Sequence, residues 1–240
     1  MLIYIDPGHG GEDTGAVANG YIEKNLNLQL SLKLAERLRK ICDVRLTRAT
    51  DINLTLKERA DKAKADKADL LLSVHFNAFD GKARGVEVIH SIKATIGTMT
   101  LCKEIARGMF SLGIPFRRVF SKASDKNPGQ DWYGIPRHCL PMAGIIVESL
   151  FIDSAADVAF LKQPESLDRL ADAISGAIEQ FFGLSELDNA IMALQHAGII
   201  GVPEYWAINA RAGKTVKGEF AEKLIITMAK YIQKGGMQNG

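Results

Sequence analysis

Met1-Leu-Ile-Tyr-Ile-Asp6-Pro7-Gly8-His9-Gly10-Gly11 opens the chain, and the fold is read outward from this stretch. Leu2, Ile3, Tyr4 and Ile5 form a short run of β-favouring residues. Pro7, which has no amide proton to give a ladder, stops it. The glycines that follow let the backbone turn tightly and present His9 just beyond the carboxyl end of the strand. In open α/β sheets ligands bind at that edge. A histidine there can be a metal ligand, an acid–base group or a capped loop residue, and its company in the fold decides which.

Working outward, residues 12–21 form a polar loop with Gly15 and Gly20, ending near Glu23. From Asn25 to Ile41, Leu30, Leu34, Leu38 and Ile41 recur at helical spacing with charged residues between them, which predicts an amphipathic helix. Asp43 to Arg48 reads as a second strand, and Thr55 to Lys67 as a charged helix with Leu56, Ala60 and Ala63 inward. Leu70 to Asn77 is a nearly continuous apolar run, as expected of a strand covered on both faces. Gly85 to His90 is another strand, Gly97 to Leu112 a helix, and Gly113 to Met142 a long irregular stretch. Gly144 to Glu148 gives one more buried strand, and Ser166 to Phe182 a closing helix. Strands alternating with helices predict an α/β sheet flanked by helices.

The 240 residues suffice for one large domain or one domain with a small appendage. Hydrophobic residues at 47% and charged residues at 24% match an ordinary globular protein. A net charge of +2 is too small an excess to argue for nucleic acid. It is compatible with a polyanionic surface as substrate. No apolar run has the length of a membrane span. The strand begins at once, leaving no room for a signal peptide. The expectation is therefore cytoplasmic synthesis without a leader, with any export independent of a signal peptide. Cys42, Cys102 and Cys139, odd in number and widely spaced, read as reduced thiols rather than a cysteine-type zinc site.

Three ionisable residues occupy comparable places. His9 follows the first strand, His75 lies near the end of another, and Glu148 stands where Ile145-Ile-Val turns abruptly acidic. A carboxylate ending a buried strand is costly to desolvate unless paired, metal-bound or open to a cleft. Glu23 opens the first long helix, again near the strand ends. Imidazoles and carboxylates converging without cysteine suggest a catalytic metal, whose site keeps three protein ligands and an open position. Each residue also has an ordinary reading: a hydrogen-bonded histidine, a solvated glutamate in a helix's first turn, an ion-pair partner.

Taken together, Ile5-Asp-Pro-Gly-His-Gly-Gly11 with Asp13 and Gly15, Glu23-Lys24 and Leu46-Thr-Arg48 resemble the amidase-3 family of zinc-dependent N-acetylmuramoyl-L-alanine amidases. Arg59, Ala68-Asp69-Leu70, Ser73-Val-His-Phe-Asn-Ala78, Gly85-Val-Glu87, Val147-Glu148 and Phe151-Ile152 continue the resemblance, which runs from about Leu2 to Phe182. Lys67 and Ser149-Leu150 depart from it, the latter pair at the expected pocket floor. The resemblance implies Zn2+ held by His9, Glu23 and His75, with Glu148 as the catalytic glutamate relaying a proton from a zinc-activated water. It implies a mixed, mostly parallel sheet of about six strands flanked by helices. The implied substrate is bacterial peptidoglycan, cut between the lactyl group of N-acetylmuramic acid and L-alanine. Asn77, two residues beyond His75 on the same strand, either touches substrate or caps the loop. Asp6 either orients a ligand imidazole or caps the glycine turn. His90, His138 and His196 are read as structural or exposed. Arg117, Arg118, Lys122, Lys126, Trp132 and Tyr133 suit stem-peptide carboxylates and sugar faces, or form a solvated loop.

The catalytic domain is expected over residues 1–183 and a small helical C-terminal domain over 184–240. In the latter, Leu187 to Gly198 and Phe220 to Tyr231 read as helices, with Val202 to Val216 turn-like. Its role is wall binding or homodimerisation, or merely extension of the core. A catalytic core with a small tail fits a phage or prophage endolysin. The alternatives are a sporulation-type lytic amidase, a zinc peptidase cutting elsewhere on the stem, and a non-catalytic wall-binding protein.

Overall fold

The computed structural model describes residues 1–183, 186–210 and 214–233. Its centre is a sheet whose inner strands are buried on both faces. β1 (Leu2–Pro7) lies between two parallel neighbours, β4 (Asp43–Leu46) and β5 (Leu70–Asn77). On the far side of β5 comes β8 (Ala143–Phe151), also parallel. β6 (Val86–Ile89) runs antiparallel to β8 and carries β7 (Phe116–Phe120) parallel at the edge. The order is β4-β1-β5-β8-β6-β7, the expected mixed, mostly parallel sheet.

Because side chains alternate across a strand, the sheet has two apolar faces. Ile3, Ile5, Leu70, Leu72, Val74, Ile145 and Val147 point to one, under α1 (Glu23–Leu38), α3 (Ile96–Phe110) and α6 (Ser166–Phe182). Tyr4, Leu71, Ile89 and Ile146 point to the other, under α2 (Leu56–Ala65) and α4 (Gly134–Cys139). His75, Glu148 and Glu87 continue the second set by period two, so all three emerge on the α2/α4 side.

Several elements differ from expectation. The polar loop contains a hairpin, β2 (Val17–Ala18) against β3 (Tyr21–Ile22), turned at Asn19-Gly20 with both φ values positive, 51° and 81°. Asn-Gly is the preferred pair for such a turn. The first helix opens at Glu23, as expected, two residues before its apolar periodicity begins, because Glu23 and Lys24 donate their amides to the carbonyls of Ala16 and Thr14. The stretch expected to be irregular holds β7 and α4, and a short α5 (Ala155–Leu161) follows β8. β7 has no apolar signature because Phe-Arg-Arg-Val-Phe is a largely exposed edge strand, where charge is the rule.

Contacts divide the chain into two compact units, Met1–Phe182 and Gly183–Gly240. The second comprises α7 (Glu186–His196), α8 (Pro203–Asn209) and α9 (Gly218–Gln233). The segment expected to be turn-like is thus partly helical: Pro203 sits at the start of α8, where its missing amide proton costs nothing. Trp206 is buried with Ile191, Ile199 and Ile200, and Tyr205 stacks on Phe220 with ring centroids 3.8 Å apart. Gly213 and the side chain of His196 lie outside the described residues. Among the described residues no helix is long and apolar enough to cross a membrane.

The loop carrying His9 is held from beneath. Thr55 and Glu58 form a capping box that starts α2 and sets Arg59 inward. The Arg59 guanidinium, 3% exposed, lies 2.8 Å from the fully buried Asp6 carboxylate and donates to the carbonyls of Pro7 and His9. Thr47 and Ser73 give their hydroxyls to the same carboxylate. Asp6 therefore neither orients an imidazole nor caps the glycine turn; it ties β1, β4, β5 and α2 together. Replacing Arg59 by alanine strands a buried carboxylate, and urea denaturation of Arg59→Ala should show a loss of about 3–5 kcal/mol.

Candidate metal centre and its clefts

Four segments meet at the carboxyl edge of the sheet. His9 follows β1 in a left-handed conformation (φ 59°), Glu23 is the first residue of α1, and His75 and Glu148 are direct partners on β5 and β8. Glu23 Oε1 lies 3.2 Å from His9 Nε2 and 2.9 Å from His75 Nδ1, and the two rings meet edge to face at 5.0 Å. The three donor atoms lie within 4.8 Å of one another.

His9 and Glu23 are fixed from behind. His9 Nδ1 is 2.8 Å from Asp13 Oδ2, which leaves Nε2 for the centre. Glu23 Oε2 accepts the Ala16 amide at 2.8 Å, while Asn27 Nδ2 and the Phe76 amide reach Oε1 at 3.3 Å. Two glycines make room. A Cβ on Gly8 would stand 2.1 Å from the His75 ring, and one on Gly15 would stand 2.5 Å from Glu23 Oε2.

This donor set fits a zinc ion. Two imidazoles and one carboxylate are the ligand types of a catalytic zinc site, and donors about 2.0–2.1 Å from a tetrahedral ion stand close to 3.3 Å apart. Glu23 is held by the Ala16 and Phe76 amides and Asn27, and His9 by Asp13, and three ligands leave a fourth position open.

Residues 3–180 match the family described as Amidase_3, N-acetylmuramoyl-L-alanine amidase. The chain belongs to the amidase-3 family. It is 33% identical over 193 residues to the endolysin of Bacillus phage SPP1, covering 77% of this chain and 67% of that protein. Among solved structures, Cwp6 from Clostridium difficile superposes with a TM-score of 0.70 at 31% identity, over 75% of this chain and 29% of that one. An N-acetylmuramoyl-L-alanine amidase from Clostridium difficile 630 gives 0.66 at 28% identity, over 76% of this chain and 96% of that one. The chain thus spans two thirds of the endolysin and less than a third of Cwp6.

In this amidase-family domain, His9, Glu23, His75 and Glu148 line one cleft of about 390 Å³, walled by Leu56 and Tyr133–Ile135. Glu148 Oε2 is buried with no hydrogen-bond partner among the described residues. Burial pushes the Glu148 carboxyl up to about 7; the neighbouring His75 opposes the rise, and Glu23 and Glu87 add to it. Burial works against charge on His9, yet its bonds to Glu23 and Asp13 carry it up to about 9. Glu23 is also penalised by burial, but the two imidazoles hold it far below the usual carboxylate range.

A second cleft of about 250 Å³ meets the first at Asn77, Tyr133 and Glu148. Asn77 lies in both walls and reaches Glu87 Oε2 at 3.4 Å. Arg117 and Arg118 stand on β7 rather than in a loop, and Lys122 sits 4.0 Å over the Trp132 ring. His90 is buried and bonded to the Ser91 carbonyl. Ser149 and Leu150 are fully buried away from the cleft, so that departure does not alter the pocket floor. The supporting roles of Asp13 and Arg59 were not readable from spacing. Loss of the Asp13 bond should weaken zinc binding about 10–100-fold in Asp13→Ala. Chelator competition, with His75→Ala as the variant expected to bind least, measures it; unchanged affinity in both would remove these donors from the ion.

Proposed function

We propose that this chain is a zinc-dependent N-acetylmuramoyl-L-alanine amidase that cuts peptidoglycan between the lactyl group and L-alanine. The observation that carries the reading is the three-donor group facing a carboxylate whose buried oxygen has no partner, in a chain of this family. His9 Nε2, Glu23 and His75 Nδ1 would hold the ion. When bound, zinc supplies Lewis acidity to the scissile carbonyl and to the attacking water.

The chain's own groups do the rest. Glu148 Oε2 takes a proton from the attacking water and delivers it to the departing alanine nitrogen. It pairs directly with His75 in the sheet, so both side chains project from the same face and line the same cleft. The apolar wall of Leu56 and Ile135 excludes bulk water around the amide. Asn77 stands where the clefts join, but its Oδ1 accepts the Ala78 amide at 2.9 Å and its Nδ2 reaches Glu87, so it acts by capping the loop.

The kinship to a phage endolysin supports a lysin role, released onto the wall from within. The unit after Phe182, which has its own core, acts as the wall-binding module, with homodimerisation as the competing outcome of a sedimentation assay.

Glu148→Gln keeps size and shape and leaves all three metal donors in place. It should retain zinc and lose at least ~100-fold in turnover. Mass spectrometry of digested wall reads the product: new alanine amino termini identify the amidase, and cuts further along the stem would identify a peptidase. Retained turnover in zinc-loaded Glu148→Gln would remove Glu148 from the reaction.

A further inference from the structure

The hydrogen-bonded ladder places charged groups in a single row across four strands: His75 on β5, Glu148 on β8, Glu87 on β6 and Arg118 on β7, each paired with the next. Paired residues point to the same face, so the row runs from the metal donors along the floor of the second cleft. At Glu87 the register with β7 shifts: Val86 pairs with Phe116, but Glu87 pairs with Arg118, leaving Arg117 as the extra residue. A bulge re-aims a side chain. Here two consecutive arginines, which alternation would send to opposite faces, both reach one carboxylate.

Arg117 Nε lies 2.6 Å from Glu87 Oε1, and Arg118 lies 2.8 Å from Oε1 and 3.3 Å from Oε2. Glu87 is 3% exposed. One buried carboxylate thus carries two guanidiniums, and the cluster has one positive charge in excess. Arg117 bonds protein only through Nε among the described residues, and both guanidiniums line the open cleft. Arg117 rests over the Phe151 ring at 5.4 Å and Arg118 over Phe120 at 3.9 Å, which keeps their planes fixed. A preorganised guanidinium with free N–H groups is a bidentate carboxylate receptor.

We propose that Arg117 and Arg118, set by Glu87, form a subsite for a free carboxylate of the stem peptide, two or three residues from the cut amide. The spacing comes from the row. Arg118 is two strands from Glu148, about 10 Å at the usual strand separation. An extended peptide covers that in about three residues. The inference rests on the amidase reading and adds what the enzyme demands of the stem: an acid rather than its amide.

The test uses the zinc-loaded full chain and soluble muramyl tripeptides. One substrate has all acids free, one has the second residue's carboxyl amidated, and one has the third residue's side-chain acid amidated. Wild type should prefer the free acid by about 10-fold in kcat/KM at one of the two positions, with the difference in KM. Arg117→Gln and Arg118→Gln should abolish that preference while leaving the corresponding amidated substrate within about twofold. Arg118→Lys, which keeps charge but not the fork, should restore only part. Equal loss on acid and amide substrates, or no preference in wild type, overturns the subsite. Absence of any cut by wild type would overturn the amidase reading instead, and calorimetric affinities for the acid and amide peptides would still decide the subsite.

Discussion

The site depends on keeping one tight turn from relaxing. Between Asp6 and Gly11 the chain leaves the sheet, and its carbonyls no longer have ladder partners. Two buried guanidiniums take those of Pro7, Gly8 and His9. Arg59 bonds the carbonyls of Pro7 and His9, and Arg48 those of Pro7 and Gly8. Asp6 supplies the single carboxylate that makes burying Arg59 tolerable. Such a pair adds little net stability against an apolar replacement, since desolvation offsets most of the attraction. What it fixes is geometry: guanidinium forks with their donors committed leave the backbone at His9 one position. The left-handed conformation of His9, costly for a residue with a Cβ, persists because this network overdetermines it.

From that turn outward the sheet does the positioning. Alternation sends Leu71, Ser73 and His75 to one face of β5, and Ile146 and Glu148 to the same face of β8. Apolar positions of the α2/α4 core therefore become functional positions one step further along the same strands. The change happens at the carboxyl edge, where the first residues of α2 and α4 wall a cleft above the sheet. Glu23 arrives from a different direction, as the first residue of a helix with no side-chain cap. Its first amides are satisfied by the loop carbonyls of Ala16 and Thr14, so its carboxylate is free to face the imidazoles.

How much of this is legible in the sequence follows from the same physics. The runs Leu2–Ile5, Leu70–Asn77 and Gly144–Glu148 announce buried strands, because unbroken apolar character in so short a run requires cover on both faces. The abrupt polarity of His75 and Glu148 announces the edge. Asn19-Gly20 carries the signal for the hairpin before Glu23. β7 carries none, because an edge strand with Arg117 and Arg118 has the composition of a loop, and its register shift exists only against β6. Nor can spacing disclose that Asp6 bonds Arg59, Thr47 and Ser73, residues 53, 41 and 67 positions away. Side-chain networks of that reach are products of topology, and no local pattern encodes them.

Glu148 and Glu87 show how topology divides labour between like residues. They are direct partners on adjacent antiparallel strands and share the second cleft. Two carboxylates so close cannot share one treatment. Glu87 has two arginines and Asn77 around it, which neutralise it and consume its lone pairs. Among the described residues Glu148 makes no ion pair with a lysine or arginine, and its buried Oε2 has no donor. Burial therefore acts on it opposed only by the imidazoles of His75 and His9, and its carboxyl rises to about 7. The arginine cluster must also stop at Glu87 for this to hold, because a guanidinium reaching Glu148 would stabilise its charged form. The extra residue in β7 achieves that by turning Arg117 onto the carboxylate already paired with Arg118. The edge strand that looks like a charged loop thus keeps its charge one strand away from the group that must exchange a proton.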